Sequence, residues 1–125
     1  MHEWKPEGRH SITPRLVARD PAELVRFLRD VFGASGEFTS DVPSEIQIGD
    51  SIVMVSGTGP REATSSFLYV YVEDADAVYQ RAMKAGAKSI EEPADMPYGD
   101  RRAMIEDPGS NVWQIATHRR ARCAD

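Results

Sequence analysis

A chain of 125 residues has room for one domain with a real core and not for two independent ones. Its 41% hydrophobic and 28% charged content is that of a folded globule, and a net charge of −5 with acids and bases interleaved leaves no basic stripe for a nucleic-acid backbone. Cys123 stands alone and excludes an internal disulfide, no apolar run approaches the roughly 20 residues of a membrane span, and the N-terminus has no signal-peptide core, so a cytoplasmic protein is expected.

Residues 1–9 are polar, carry Trp4 and Pro6 without periodicity, and read as an arm. Residues 11–17 read as a strand with Ile12, Pro14 and Leu16 on one side and Thr13, Arg15 and Val17 on the other. Pro14 cannot donate to a ladder, which puts this strand near an edge or makes it locally irregular. Asp20, Pro21 and Glu23 form a helix start, and Leu24, Phe27, Leu28 and Val31 give one apolar stripe that Gly33 terminates. The apolar side of the strand should face that stripe. Residues 43–48 alternate, with Ile46 and Ile48 opposed to Glu45 and Gln47, and Gly49-Asp50 turns the chain into a strand over 51–55. Residues 57–64 are a Gly, Pro, Ser and Thr connector.

Beyond the connector the plan repeats. FLYVYV over 67–72 is a strand, Asp74 opens a helix over 75–85 through Val78, Ala82 and Met83, and Gly86 closes it. A strand near Ser89 and a hairpin with arms 102–106 and 111–117 follow, the hairpin joined by the turn-forming DPGSN. Leu16, Val17 and Asp20 recur as Val70, Tyr71 and Asp74, and Gly33-Ala34 recurs as Gly86-Ala87, a shift of about 54 residues. The chain is therefore read as one domain, 1–125, of two β-α-β-β-β modules (about 10–57 and 66–118) between polar tails. Arg119, Arg120 and Arg122 are taken as a solvated part of the second tail.

The order of elements, the phrase FLYVYVEDADAVYQRAMKAGA and the closing YGDRRAMIEDPGSNVWQIATH resemble the vicinal-oxygen-chelate superfamily of glyoxalases, bleomycin-resistance proteins and extradiol dioxygenases, and within it the PhnB-like subgroup. The resemblance covers about residues 11–118. It implies an α+β fold in which two βαβββ modules form a curled mixed sheet around a cup-shaped cavity, in a homodimer. The metal enzymes of the superfamily hold one divalent ion with four His, Glu or Gln side chains from the first and last strands of each module. Carried over by position, those places fall on Thr13, Met54, Phe67 and Gln114, of which only Gln114 carries a serviceable donor. His10 lies roughly 10 Å along the strand from Thr13 and His118 about 13 Å from Gln114, too far to share an ion at about 3.3 Å per residue. His2 is in the arm. No metal and no cofactor are expected.

If those four places mark the inward face, alternation adds Arg15, Glu45, Gln47 and Ile52 from the first module and Tyr69, Tyr71, Arg102, Met104 and Val112 from the second. The ligand-binding set is thus Thr13, Arg15, Glu45, Gln47, Met54, Phe67, Tyr69, Tyr71, Arg102, Met104 and Gln114. Phe67, Tyr69 and Tyr71 offer a ridge for a flat ligand, or equally sheet packing or a dimer contact. Arg15 is a partner for a carboxylate or phenolate, or forms an ion pair with Glu45. Trp113 has the opposite parity and is assigned to the core against a helix, and Tyr98 in MPYGDR is a candidate lid. No catalytic residue is singled out. The reading is a small-molecule-binding protein with a degenerate metal site, for an aromatic or polar organic ligand such as a sequestered antibiotic. The alternatives are a metal-dependent lyase, isomerase or dioxygenase built on Glu45 and Gln114, and an accessory protein with a filled cup. Nucleic acid and membrane are excluded as partners.

Overall fold

The computed structural model describes residues 4–59 and 62–119. The sequence-based remarks on His2, Arg120, Arg122 and Cys123 fall outside that range.

The first helix forms where its punctuation says. Asp20 caps α1 (Pro21–Phe32) by accepting a hydrogen bond from the Glu23 backbone N–H at 3.1 Å, Pro21 occupies the first turn, and Gly33 ends it with φ 67° in the left-handed region. Leu24, Phe27, Leu28 and Val31 are buried along its stripe, joined by Val25. The second helix, α2 (Ala75–Lys84), repeats the device: the Asp74 carboxylate accepts from the Ala77 N–H, and Ala75, Val78, Tyr79 and Ala82 are buried. The two helices pack on each other, and Arg81 of α2 donates through Nε to the Val31 carbonyl of α1 at 3.0 Å.

The strands form two sheets. In the first, β1 (Arg15–Val17) pairs in parallel with β3 (Ser51–Ser56), which pairs antiparallel with β2 (Ser44–Ile48), giving the order β1-β3-β2. In the second, β4 (Phe67–Tyr71) lies parallel to β7 (Val112–His118), followed by β6 (Asp100–Glu106) and β5 (Lys88–Asp95), in the order β4-β7-β6-β5. This is the α+β repeat expected from sequence, complete in the second module. In the first, the strand after the helix shrinks to a single bridge between Ser35 and Gln47. Gly36 beside it has φ 114°, and a Cβ there would stand 2.4 Å from the Glu45 carbonyl. The backbones approach too closely, and in too unusual a conformation, for a regular strand of ordinary residues.

The first strand is also shorter than alternation suggested. It begins at Arg15, not at 11, and Ile12 is 83% exposed instead of facing α1. Pro14 is the cause: its carbonyl accepts from the Met54 N–H at 2.9 Å, but its nitrogen has no hydrogen to continue the ladder. β1 is an edge strand, as the proline required.

One face of each sheet packs against the helices and the two helices share a core, so the opposite faces look outward. Trp113 of β7 is buried and meets Phe32 of α1 with ring centroids 4.9 Å apart, linking the modules. Its indole Nε1 donates to Asp107 at 2.8 Å, and the same buried carboxylate takes the backbone N–H groups of Gly109 and Asn111. Asn111 in turn accepts from the Ser66 N–H at the entrance to β4. The DPGSN turn is thus a buried polar knot, and removing its acceptor leaves several donors unsatisfied. Asp107→Ala is expected to cost about 3 kcal/mol or more, whereas Asp20→Ala, which removes one exposed cap, should cost about 1 kcal/mol. Urea unfolding midpoints of the two variants check the order.

Candidate functional site

Registration places the residues singled out from sequence on the outward faces. On the three-stranded sheet, Arg15, Met54 and Glu45 stand in one row across β1, β3 and β2, with Gln47 opposite Ile52 in the next. Thr13 precedes β1 and lines a small hollow with Arg9, His10 and Ser51. On the four-stranded sheet, Phe67 is beside Val112, Tyr69 leads through Gln114 to Met104, and Tyr71 leads through Ala116 to Arg102. Each module's set is therefore assembled, but the two sets lie on separate sheets, and the single chain does not close them into one hollow. Arg15 and Glu45 do not pair, because Met54 separates them. The Arg15 guanidinium donates to Ser56 Oγ at 3.2 Å, and Glu45 forms its ion pair with Arg9 of the N-terminal arm. The Gln47 side chain donates to the Gly49 carbonyl at 3.0 Å.

The same division tests the metal site that the fold implies. Met54 lies on one sheet and Phe67 and Gln114 on the other, and a thioether, a phenyl ring and an amide are not a set that holds a divalent ion. Among the described residues no three His, Cys, Asp or Glu side chains are grouped closely enough to hold one. The residues present do not fit the group.

What the outward face of the second sheet does contain is a buried acid. Asp100, at the start of β6, is only 2% exposed. Its Oδ2 accepts from the hydroxyls of Tyr69 at 2.6 Å and Tyr71 at 3.0 Å, and its Oδ1 meets His118 Nδ1 at 2.9 Å. Burial pushes the Asp100 carboxyl up, and the hydrogen bonds from Tyr69, His118 and Tyr71 together push it further down, so it stays ionised below its ordinary value. The Tyr69 hydroxyl is pushed far up by burial and by its bonds to Asp100 and Tyr98; that of Tyr71 is raised first by its bond to Asp100. Both remain neutral donors. The network runs on through the Tyr98 hydroxyl, 3.2 Å from that of Tyr69, to Arg102, which donates to Tyr98 at 3.1 Å and to Glu91 at 2.8 Å. Arg102 Nε is buried and has no partner among the described residues.

Asp100, His118 and Glu91 were not among the residues chosen from sequence. Asp100 shares the parity of Arg102 and Met104, but MPYGDR reads as a loop and hides the first two residues of β6. His118 has the parity of Gln114, but in the sequence it stands out only as a histidine too far from Gln114 to share an ion. Tyr98, the candidate lid, has its hydroxyl in this network and its ring exposed.

Two clefts open beside this network along the seam between the modules. One, of about 720 Å³, has Phe32, Ile48, Val72 and Val78 as apolar wall and Tyr71, Glu73, Arg81 and His118 as its polar part. The other, of about 480 Å³, lies between Pro14, Ile48, Val53, Leu68, Val70 and Trp113 and shares Tyr71 with the first. Neither is lined by Glu45, Met54, Arg102, Met104 or Gln114.

The family model for the glyoxalase/bleomycin resistance protein/dioxygenase superfamily matches residues 10–115. The chain belongs to that superfamily. An uncharacterised Mycobacterium bovis protein, Mb0911c, is 25% identical over 123 residues, covering 84% of this chain and 81% of its own. Among solved structures, TioX from Micromonospora sp. ML1 superposes with a TM-score of 0.75 at 25% identity, over 87% of this chain and 98% of its own. The fosfomycin resistance protein FosX of Mesorhizobium loti shares the superfamily fold with a TM-score of 0.65 at 22% identity, over 86% and 91% of the two chains. Among the described residues no helix is long and apolar enough to cross a membrane.

The Asp100 network should write itself into the pH dependence of stability. The lowered carboxyl contributes stability that is present above its ordinary pKa, near pH 4, and lost as pH falls through the lower folded value. The raised tyrosines contribute stability that is complete below about pH 10 and lost as pH rises through their folded values. Asp100→Asn is expected to flatten both limbs together, measured as urea midpoint against pH.

Proposed function

We propose that this protein is a metal-free, small-molecule-binding member of the superfamily that holds an aromatic or polar organic ligand against the outward face of its second sheet. The observation that carries this reading is the row Phe67, Tyr69 and Tyr71, which are 68%, 39% and 62% exposed on one face of one strand. Large aromatics left in the open on one contiguous face mark a contact surface. The two tyrosine hydroxyls are held in place by Asp100, so those two rings are preorganised and lose little freedom on binding. Sequestration suits such a site, since it asks only for affinity, and the fosfomycin resistance protein supports that direction by analogy alone.

Three ring contacts contribute roughly 1.5 to 4.5 kcal/mol beyond area burial, against about 8 kcal/mol for micromolar affinity. The remainder has to come from covering the ligand, and an open sheet face does not cover it. We therefore read the protein as a homodimer in which the first sheet of a second copy, with its Arg15, Glu45, Gln47 and Met54, closes the cup over this face. The phrases that resemble the PhnB-like subgroup, and a cytoplasmic location with neither nucleic acid nor membrane as partner, belong to the same reading. The metal-dependent alternative loses support from Glu45, whose carboxylate is already paired with Arg9 of the N-terminal arm.

Calorimetric titration of chelator-treated protein with a panel of aromatic metabolites and antibiotics tests the reading. Binding without metal is expected, and Phe67→Ala or Tyr71→Ala should each weaken it by roughly 2- to 13-fold, the equivalent of 0.5 to 1.5 kcal/mol. Light scattering should give twice the chain mass. Uptake of one equivalent of nickel, zinc or manganese at micromolar affinity would overturn the metal-free reading.

A further inference from the structure

Among the described residues the larger seam cleft contains, besides the Glu73 carboxylate and the Nη groups of Arg81, an uncommitted ring nitrogen that a buried acid orients. Its Asp74 carboxylate caps α2, the Thr117 hydroxyl donates to the Val72 carbonyl and accepts from the Ala75 N–H, and Arg81 Nε donates to the Val31 carbonyl. His118 differs. Asp100, held ionised, can only accept, so His118 Nδ1 must be the nitrogen that carries hydrogen in their 2.9 Å contact. In the neutral ring Nε2 is then an acceptor, on the far side of the imidazole from Asp100, and the side chain is 66% exposed. A buried carboxylate fixing the tautomer of an accessible imidazole, and standing ready to stabilise the imidazolium, is the arrangement that makes histidine an effective proton acceptor.

The rest of the wall says what would bring the proton. Phe32, Ile48, Val72 and Val78 form an apolar surface, the Tyr71 ring adds an aromatic edge, and about 720 Å³ lies within the range of small-ligand sites. An alkyl chain would leave Nε2 unpaired, and a carboxylic acid, though Arg81 could pair with it, arrives already ionised and brings no proton to Nε2. A ring compound with a weakly acidic hydroxyl satisfies both the apolar wall and the acceptor.

We propose that the seam cleft is a second binding site, for phenols and related ring compounds with a weakly acidic hydroxyl, and that His118 takes the ligand's proton there. The ligand O–H bond breaks, an Nε2–H bond forms, and the products are a phenolate and an imidazolium held between that phenolate and Asp100. No electrons are exchanged and no co-reactant is needed. The charged groups around the ring are Asp100 behind it on β6, Glu73 and Asp74 on the loop into α2, and Arg81 on α2. The site shares Tyr71 with the sheet face proposed above but differs from it elsewhere: Phe67 belongs only to that face, and Phe32, Val78 and Ala77 only to the cleft.

The probe is 4-nitrophenol, whose phenolate alone is yellow, titrated by absorbance and calorimetry at a pH where the free phenol is mostly protonated. The wild-type protein should turn bound 4-nitrophenol yellow. His118→Gln, a change at an exposed position, should bind it about tenfold more weakly and without colour, while 4-nitroanisole, which has no hydroxyl, binds both proteins equally. Asp100→Asn should lose the colour too, because an amide donating to Nδ1 puts the ring hydrogen on Nε2; folding is checked by near-ultraviolet circular dichroism. Ala77→Trp, at the cleft wall, should abolish 4-nitrophenol binding and leave Phe67-dependent binding intact. Colour that persists in His118→Gln overturns the proton transfer. Binding lost with Phe67→Ala but kept with Ala77→Trp overturns the seam site and leaves the sheet face standing, and binding by neither route removes both.

Discussion

A carboxylate taken out of water must be satisfied by its neighbours, and the satisfaction of Asp100 arranges everything of chemical interest in this protein. Its two oxygens draw Tyr69 and Tyr71 from β4 and His118 from β7 to a single point on β6. The result is three side chains from two strands, gathered on a third with their orientations fixed, two as aromatic surfaces and one as an imidazole of defined tautomer. Without that acid, the tyrosine hydroxyls would be solvated rotors and the histidine an ordinary exposed terminus of a strand.

The fold supplies the address. Because strand side chains alternate, each sheet that gives one face to a helix has to leave the other outward. On the first sheet that face carries Arg15, Glu45 and Gln47, and the N-terminal arm already lays Arg9 on Glu45. On the second it carries the aromatic row and the Asp100 network. The seam between the modules, packed through Phe32 and Trp113 yet open beside Tyr71 and His118, is a by-product of joining two copies of one unit. The superfamily's fold is retained here, while the positions that the resemblance assigns to a metal carry side chains with little to offer one.

Much of this was readable from the chain. Asp20 with Pro21, Asp74, Gly33 and Gly86 mark helix ends by local chemistry that needs no tertiary context, and both helices begin and end where those signals lie. Parity likewise sorted Tyr69, Gln114 and Met104 onto one row, and Trp113 onto the other side. What was not readable depended on one residue's neighbours in space. Pro14 ended a strand that alternation extended to residue 11, and Glu45 found Arg9, not Arg15, because an arm without periodicity gives no sign of where it lies. Asp100 was hidden by its company: after Pro97, Tyr98 and Gly99 an aspartate reads as turn, and only the pairing of Asp100 with His118 across β6 and β7 shows it to be strand.

The central claim is that the Asp100-ordered aromatic face of the second sheet receives a ligand without help from a metal. Methyl-resolved NMR of the methionines, recorded while chelator-treated protein is titrated with an aromatic ligand found by calorimetry, tests it most directly. The account predicts a saturable shift at Met104, in register with Gln114 and Tyr69 on that face, and none at Met83 on α2. A shift at Met83 with Met104 unmoved, or a response at Met104 only after a divalent ion is added, would contradict it.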